Sequence, residues 1–116
     1  MSSKSRRTQW DGVSLTSVCN DTKWEGLRTS IAALDRTPSF RTMDINGYYA
    51  QAEHEWQCHF RESYETRRFV DLLCEDEEQS EQVIAILRLN HLSGHAIEGG
   101  YRVYGYTQHG DQIAKF

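Results

Sequence analysis

The sequence contains little that would cross-link a chain or anchor it in a membrane: it has three cysteines, one proline and no long apolar run. An odd number of cysteines without close pairs does not predict a disulfide framework, so we expect Cys19, Cys58 and Cys74 to be buried, reduced thiols. The longest apolar run, residues 83–87, is far too short to span a bilayer. No apolar stretch follows the basic residues near the amino terminus, so we expect no secretory signal, no membrane contact and a cytoplasmic location.

The distribution of charge favours a protein partner over a nucleic acid. The formal net charge is -4 at pH 7, and residues 53–81 contain ten acidic residues against three arginines. No basic patch interleaved with aromatic residues lies inside the domain, so we predict that the protein does not bind nucleic acid. An acidic flank suits a basic protein partner, because complementary charges steer association.

Length and polarity predict one domain between two short tails. A chain of 116 residues fits a single domain with one core. Residues 1–13 are polar and aperiodic, which predicts a flexible amino-terminal tail, and the polar residues 108–116 predict a flexible carboxy-terminal tail. The folded domain is therefore expected to span residues 14–107.

Two helices are predicted from capping residues and apolar spacing. The first begins near Asn20–Thr22, where three N-cap residue types follow one another, and ends before Pro38. The second begins at Asp76, with Gln79 at its third helical position, and ends at Ser93–Gly94. The apolar stripe of the first helix consists of Trp24, Leu27, Ile31 and Leu34.

Alternating and continuous apolar segments predict the strands. The dipeptide Asn46–Gly47 predicts a tight turn, and Asp71 inside an otherwise apolar strand requires a buried polar partner. The resulting order α-β-β-β-β-α-β predicts an α+β fold: a mainly antiparallel sheet of about four to five strands, with two helices packed on one face. The predicted strands are Phe40–Ile45, Tyr48–Gln51, Glu55–Arg61, Arg68–Cys74 and Tyr101–Tyr106.

Metal-binding and cofactor-binding motifs are not found, so we predict neither. The sequence has no C-x-x-C pair, and the H-x-x-x-H spacing of His91 and His95 is interrupted by the predicted helix stop. The glutamate of an H-E-x-x-H motif is missing, as are Walker and dinucleotide-binding patterns. The glycines before the last strand are therefore interpreted as a turn.

Catalysis is an alternative that no motif supports. A G-x-S-x-G nucleophile elbow is absent, and Cys58 and Cys74 lie in apolar segments, which raise the pKa of a thiol and make it unreactive. A small enzyme would use His59, Glu62 or Arg61 in acid–base chemistry, and it requires a concave pocket that joins these side chains. A homo-oligomeric adaptor is a further alternative and requires an exposed apolar patch.

Several short blocks resemble a known kind of protein. They are Val18–Trp24, Phe40–Asp44, Asn46–Tyr48, Trp56 with His59–Glu62, and Tyr101–Tyr106. Together they resemble a family of small uncharacterised bacterial domains, whose members look like the immunity proteins encoded beside polymorphic toxins in interbacterial competition. The resemblance covers roughly Leu15 to Tyr106.

What the resemblance implies is binding and inhibition, with no enzymatic activity. An immunity protein of this kind is a cytoplasmic antidote that binds a cognate toxin domain and occludes its active site. If that toxin is an ADP-ribosyltransferase or a nuclease, acidic side chains of the antidote could mimic the phosphates of its substrate. We expect the partner-binding residues to be Glu62, Glu65, Glu75, Asp76, Glu77, Glu78, His95 and Glu98.

Overall fold

Two α-helices and eight strands make up the described part of the protein. The computed structural model describes residues 7–10, 13–108, 110–111 and 113–116. The helices are α1 (Asp21–Ala32) and α2 (Glu77–Leu89), and short 3-10 helices cover His59–Arg61 and Tyr64–Thr66. The strands are β1 (Arg7–Trp10), β2 (Val13–Ser17), β3 (Ser39–Asp44), β4 (Arg67–Leu73), β5 (Ser93–Ile97), β6 (Gly100–Tyr104), β7 (Tyr106–Thr107) and β8 (Ala114–Lys115).

The strands form two sheets in which every pairing is antiparallel. The larger sheet has the order β3-β4-β6-β5-β8, and the smaller has the order β1-β2-β7. Only Gly105 separates β6 from β7, so one stretch of chain enters both sheets. A Cβ atom at Gly105 would lie 2.3 Å from the carbonyl oxygen of Arg67. Glycine is therefore required where the chain leaves one sheet for the other.

Both helices pack on one face of the larger sheet. Buried side chains of α1 and α2 share a single apolar cluster with alternate positions of β3, β4 and β6. The predicted α+β fold, with an antiparallel sheet and two helices on one face, is confirmed. No helix in the described ranges is long and apolar enough to cross a bilayer. The cluster includes Trp24, Leu27 and Ile31 of α1, Val83 and Leu87 of α2, and Phe40, Val70, Leu72 and Val103 of the sheet.

Side chains cap the amino-terminal ends of both helices, as predicted. The backbone N–H of Lys23 donates to Asn20 Oδ1 at 2.8 Å. The backbone N–H of Gln79 donates to Asp76 Oδ1 at 2.9 Å. These bonds satisfy backbone donors that have no partner inside the helix, which is why the two starting points could be located from local sequence.

The end of α2 differs from the prediction. The helix stops at Leu89, and His91 then adopts a left-handed conformation with φ of 56°. Ser93–Gly94, which we predicted as the helix stop, begins strand β5 instead. A Cβ atom at Gly94 would lie 1.8 Å from the carbonyl oxygen of Arg102. The glycine therefore permits close pairing of β5 with β6. The sequence analysis missed β5.

The segment between β3 and β4 also differs from the prediction. The predicted strands Tyr48–Gln51 and Glu55–Arg61 are wrong: the chain there makes two isolated β-bridges to β3 and then forms a turn and the two 3-10 helices. Trp56 and Phe60 are both buried, and a spacing of four residues fits one face of a helical turn as well as one face of a strand. The Asn46–Gly47 turn is confirmed, with a φ of 94° at its glycine.

Two strands lie in segments that we predicted to be flexible tails. Strand β1 lies within residues 1–13 and pairs with β2, and β8 lies within residues 108–116 and pairs with β5. The ring of Phe116 packs edge-on against Tyr101 with centroids 5.9 Å apart. Within these tails, residues 1–6, 11, 12, 109 and 112 lie outside the described residues. Short edge strands pair through their backbone, so polar composition does not reveal them.

Strand β4 buries a carboxylate at its centre. The Asp71 side chain is 1% exposed. It accepts hydrogen bonds from Arg102 Nε at 2.7 Å and Arg102 Nη2 at 3.0 Å, and a further one from the Tyr49 hydroxyl. Asp71 and Arg102 face each other across the β4–β6 pair. The polar partner that the sequence required is therefore supplied by the neighbouring strand, and charge-assisted bonds offset the loss of hydration.

We predict that removing the Asp71 carboxylate destabilises the fold far more than breaking an exposed ion pair. Asp71→Ala should lower the free energy of unfolding by about 3 kcal/mol, because it leaves the Arg102 guanidinium without its buried partner. Arg36→Ala breaks exposed contacts of 3.2 Å and 2.8 Å to Glu75 and Asp76 and should leave the free energy of unfolding nearly unchanged, because water screens the pair. Urea denaturation measures both values, and equal losses would contradict the role assigned to the buried pair.

We also predict that β6 tolerates only glycine at its first position. A Cβ atom at Gly100 would lie 1.8 Å from the carbonyl oxygen of Leu72. Gly100→Ala should therefore lower the free energy of unfolding by about 1–3 kcal/mol, because the strands must move apart. Glu98→Ala, in the exposed turn that precedes β6, is the control and should change the free energy of unfolding by less than about 0.5 kcal/mol. Thermal unfolding followed by circular dichroism compares the two; an unchanged melting temperature for Gly100→Ala would refute the steric argument.

Candidate functional site

The first candidate site is a groove at the start of α2, with a volume of about 370 Å³. One wall is the chain that enters α2, and the other is the hairpin between β5 and β6. A hydrogen bond of 2.8 Å from the Cys74 N–H to the Gly99 carbonyl oxygen joins the two walls. We call this site the acidic groove, because it combines carboxylates with small and apolar side chains. Its lining residues are Cys74, Glu75, Asp76, Glu77, Ser80, Ala96, Ile97, Gly99, Gly100 and Tyr101.

Two of the four acids at the start of α2 already have partners within the fold. The Arg36 guanidinium lies 3.2 Å from Glu75 Oε1 and 2.8 Å from Asp76 Oδ2. The backbone N–H that Asp76 caps, followed by the Arg36 guanidinium, lowers the pKa of Asp76. Glu77 and Glu78 are exposed in the first turn of α2, make no ion pair with any described residue, and stabilise the positive end of the helix dipole. Because all four acids are exposed, a binding partner can compete for them at little cost.

The structure separates the other predicted partner-binding residues from one another. Glu98 is exposed in the hairpin turn that forms one wall of the acidic groove. His95 lies on the sheet face away from the helices, with its Nε2 3.4 Å from the Tyr104 hydroxyl oxygen. Glu62 and Glu65 lie beside the 3-10 helices before β4. Of the eight predicted residues, Glu75, Asp76 and Glu77 line the acidic groove, and Glu98 lies in the turn of its hairpin wall. The other four, Glu62, Glu65, Glu78 and His95, are not among the lining residues.

The second candidate site is a pocket against the irregular segment between β3 and β4, with a volume of about 260 Å³. The Asn46–Gly47 turn and the left-handed conformation of Ser63, with φ of 59°, bend the chain around it. We call this site the Arg67 pocket, after the buried cation in its wall. Its lining residues are Phe40, Thr42, Asp44, Tyr48, Ala50, Glu53, His59, Glu62, Ser63 and Arg67.

Arg67 is the functional candidate that the sequence analysis missed. The residue is 4% exposed. Its Nη2 donates to the Glu62 carbonyl oxygen at 2.9 Å, whereas its Nη1 is buried and has no hydrogen-bond partner. The guanidinium carbon lies 4.5 Å from the ring centroid of Phe60 and 5.1 Å from that of Tyr64. Burial lowers the pKa of Arg67 to about 10, so the group is still charged at neutral pH. The only indication in the sequence is an arginine at the edge of an apolar strand.

His59 and Glu62, which we predicted as a possible acid–base set, do line one pocket. His59 Nδ1 lies 2.6 Å from Glu53 Oε1, and this hydrogen bond raises the pKa of His59. Arg61, the third member of the predicted set, does not line the pocket; its Nε lies 3.5 Å from Glu25 Oε2. The pocket therefore contains a histidine–carboxylate pair of the kind that can transfer a proton.

The cysteines have unequal environments. Burial raises the pKa of Cys19 to about 12 and also raises the pKa of Cys74, which favours the protonated thiol at neutral pH. Cys19 is buried as predicted, whereas Cys74 is only half-buried. Cys58 is exposed, and our prediction of a buried thiol there is wrong because residues 56–58 form a turn instead of a strand. Across the described ranges, no three His, Cys, Asp or Glu side chains are grouped so that they could hold a metal ion.

Comparison with known proteins identifies the chain by family alone. No curated protein matches it, and no solved structure matches it. Residues 7–110 match a family described as "Family of unknown function (DUF6678)". The match begins in β1 and extends past β7, so it includes both candidate sites. The chain therefore belongs to the family of unknown function DUF6678.

Proposed function

We propose that the protein is an immunity protein, which binds a cognate bacterial toxin domain and occludes the active site of that toxin. The observation that carries the proposal is the acidic groove. Residues chosen from sequence as partner-binding (Glu75, Asp76 and Glu77) line one concave surface together with apolar side chains of the β5–β6 hairpin. Clefts that carry charge of one sign beside apolar walls favour oppositely charged protein segments.

The chemistry of the groove suits an arginine or lysine side chain of a partner. Such side chains bury an apolar stem while the charged head group pairs with carboxylates. Ala96, Ile97 and Tyr101 offer the apolar wall, and Glu77 offers an exposed carboxylate. The fold itself contains an example of this pairing, since the Arg36 guanidinium bridges two acids at the edge of the groove. A partner's guanidinium can extend that cluster.

Inhibition follows from occlusion and charge. Acidic side chains speed the encounter with a basic toxin surface, and a few aromatic or arginine anchors then supply most of the affinity. A toxin that is an ADP-ribosyltransferase or a nuclease binds phosphates in its active site, so the carboxylates at the start of α2 would stand in for phosphate oxygens. The proposed site of action is the cytoplasm, where such a toxin meets its substrate.

A small enzyme is a second candidate function, favoured by the shared pocket of His59 and Glu62. The hydrogen bond that His59 Nδ1 donates to the Glu53 carboxylate holds the imidazole in one orientation, which a general acid or base requires. The homo-oligomeric adaptor has no comparable support. The large hydrophobic residues that are exposed in the described ranges are Tyr48, between β3 and β4, and Leu89, at the end of α2.

We predict that co-expression with the toxin encoded by the neighbouring gene restores survival and yields a complex that co-purifies. Glu77→Lys should raise the dissociation constant of that complex by about tenfold at low salt, mainly through slower association, because it reverses a charge in the acidic groove. It should cost at most about 1 kcal/mol of folding stability, the contribution of a charge at the helix dipole. Survival assays and surface plasmon resonance measure the two effects.

Glu55→Lys is the matched control, since it makes the same charge change at an exposed residue that lies outside the acidic groove and outside the predicted partner-binding set. We expect its dissociation constant to stay within about twofold of the unmodified protein. Neither rescue nor a complex with the unmodified protein would reject the antidote proposal. Rescue that Glu77→Lys leaves intact would keep the antidote function and place the toxin on another surface.

A further inference from the structure

The face of the larger sheet that lies away from the helices, which we call the outer face, carries more cations than carboxylates. Alternation along the strands places Arg41 of β3, Asp71 of β4 and Arg102 of β6 on this face, in one row across the sheet. Lys115 of β8 lies at the edge of the same face, opposite Ser93 of β5. Among the described strand residues, Asp71 is the one carboxylate that points to the outer face.

The buried carboxylate neutralises only one of the two arginines. Asp71 is bound by Arg102 through two hydrogen bonds, of 2.7 Å and 3.0 Å. Arg41 makes no ion pair with any described residue; its Nε donates to the Ala50 carbonyl oxygen at 2.8 Å, and its guanidinium carbon lies 3.7 Å from the ring centroid of Tyr49. One arginine is enough to compensate the charge of Asp71, so the charge of Arg41 is surplus on this face.

The unused donors of the outer face are accessible to a ligand. In the described part of the chain, the buried side-chain atoms that lack a hydrogen-bond partner belong to Arg67 and Arg68. The two terminal nitrogens of Arg41 donate no hydrogen bond within the same ranges and are not among those buried atoms, so they face solvent. The side chain of Arg102 is 28% exposed, and Lys115 is exposed. Because the Arg41 guanidinium is already held by a ring and a carbonyl oxygen, binding a ligand would cost it little side-chain entropy.

The other side chains of the outer face favour a protein ligand over a nucleic acid. Met43 and Leu73 lie half-buried on this face and offer apolar contacts between the cations. Phe69 and Tyr104 are only 5% and 7% exposed, and one face of Tyr49 is covered by the stacked guanidinium. These rings are therefore not available for the stacking of bases on which single-stranded nucleic acids depend. The net charge of -4 also repels a polyanion at long range.

We propose that the outer face binds an acidic, extended segment of a protein partner. Carboxylates of the segment accept hydrogen bonds from the terminal nitrogens of Arg41 and pair with Lys115, while Arg102 adds its charge between them. Four strand spacings separate β3 from β8 in the sheet, a distance of about 20 Å that an extended segment of about six residues covers. This surface is separate from the acidic groove and has the opposite charge, so the proposal does not depend on the proposed immunity function.

The test is titration of the isotopically labelled full chain with a short acidic peptide, followed by nuclear magnetic resonance at low salt. The probe is an acetylated and amidated peptide of four Ser-Glu repeats, and the matched control peptide has four Ser-Gln repeats. The acidic peptide should cause saturable shifts of the Arg41, Arg102 and Lys115 backbone amides, and added salt should weaken its binding. The Ser-Gln peptide should cause no saturable shifts. An oligothymidylate of eight nucleotides should bind more weakly than the acidic peptide.

Variants with one chemical change test the assigned residues. Arg41→Gln removes the surplus charge but leaves the pair of Asp71 and Arg102 intact, and it should raise the dissociation constant of the acidic peptide by about tenfold. Lys115→Gln changes an exposed residue of β8, so it keeps the fold and should raise the constant by about threefold. Arg88→Gln is the control, because it makes the same change at an exposed arginine in the last turn of α2. Its dissociation constant should stay within about twofold of the unmodified protein.

Four results would overturn the proposal. The first is the absence of saturable shifts with the acidic peptide, or saturable shifts that lie only outside the outer face. The second is equal binding of the Ser-Gln peptide, which would show that the carboxylates contribute nothing. The third is tighter binding of the oligothymidylate, which would identify the surface as a site for nucleic acid. The fourth is a dissociation constant that neither Arg41→Gln nor Lys115→Gln changes.

Discussion

The burial of Phe60 is the constraint on which the irregular half of the structure depends. Its ring is fully buried and lies 4.6 Å from Trp56, 5.1 Å from Phe40 and 6.0 Å from Trp24, centroid to centroid. These contacts join the segment before β4 to α1 and to β3 at once. Aromatic groups of this size contribute much of the burial energy of a small core. Burial of the Phe60 ring therefore fixes the position of the chain on either side of it. The neighbouring residues His59 and Glu62 line the Arg67 pocket as a result.

Arg67 packs against this aromatic cluster and borders the Arg67 pocket. A guanidinium can lie against an aromatic face and still remain charged. Arg67 therefore covers the Phe60 ring at a position that an aliphatic side chain could also occupy. The same geometry leaves one of its nitrogens without an acceptor. Carboxylates gather around this cation without pairing with that nitrogen, which gives the pocket mixed charge. The group that covers the aromatic core is therefore also the group with unused hydrogen-bonding capacity.

The acids at the start of α2 combine two roles in a different way. Asp76 caps the helix and pairs with Arg36, so part of the negative charge is needed for the fold. Glu77 and Glu78 stabilise the helix dipole from an exposed position and keep their carboxylates free of ion pairs with the described residues. A charged patch that folding requires is a low-cost starting point for a binding surface, since the helix needs acids there whether or not a partner is present.

Local sequence determined the helices, their amino-terminal caps, the Asn46–Gly47 turn, strands β3, β4 and β6, and hence the α+β class. These features depend on contacts within a few residues or on a clear apolar period. Tertiary structure alone decided the rest. The spacing of Trp56 and Phe60 fits a strand and a helical turn equally well. The helical turn forms because it lets Phe60 pack against Trp24 of α1 and Phe40 of β3. Strands β1, β2, β5 and β8 were not predicted, because they are stabilised by pairing with a neighbouring strand. The Arg67 pocket is lined by side chains from Phe40 to Arg67 that the fold brings together around one aromatic cluster. A local sequence pattern cannot predict such long-range contacts.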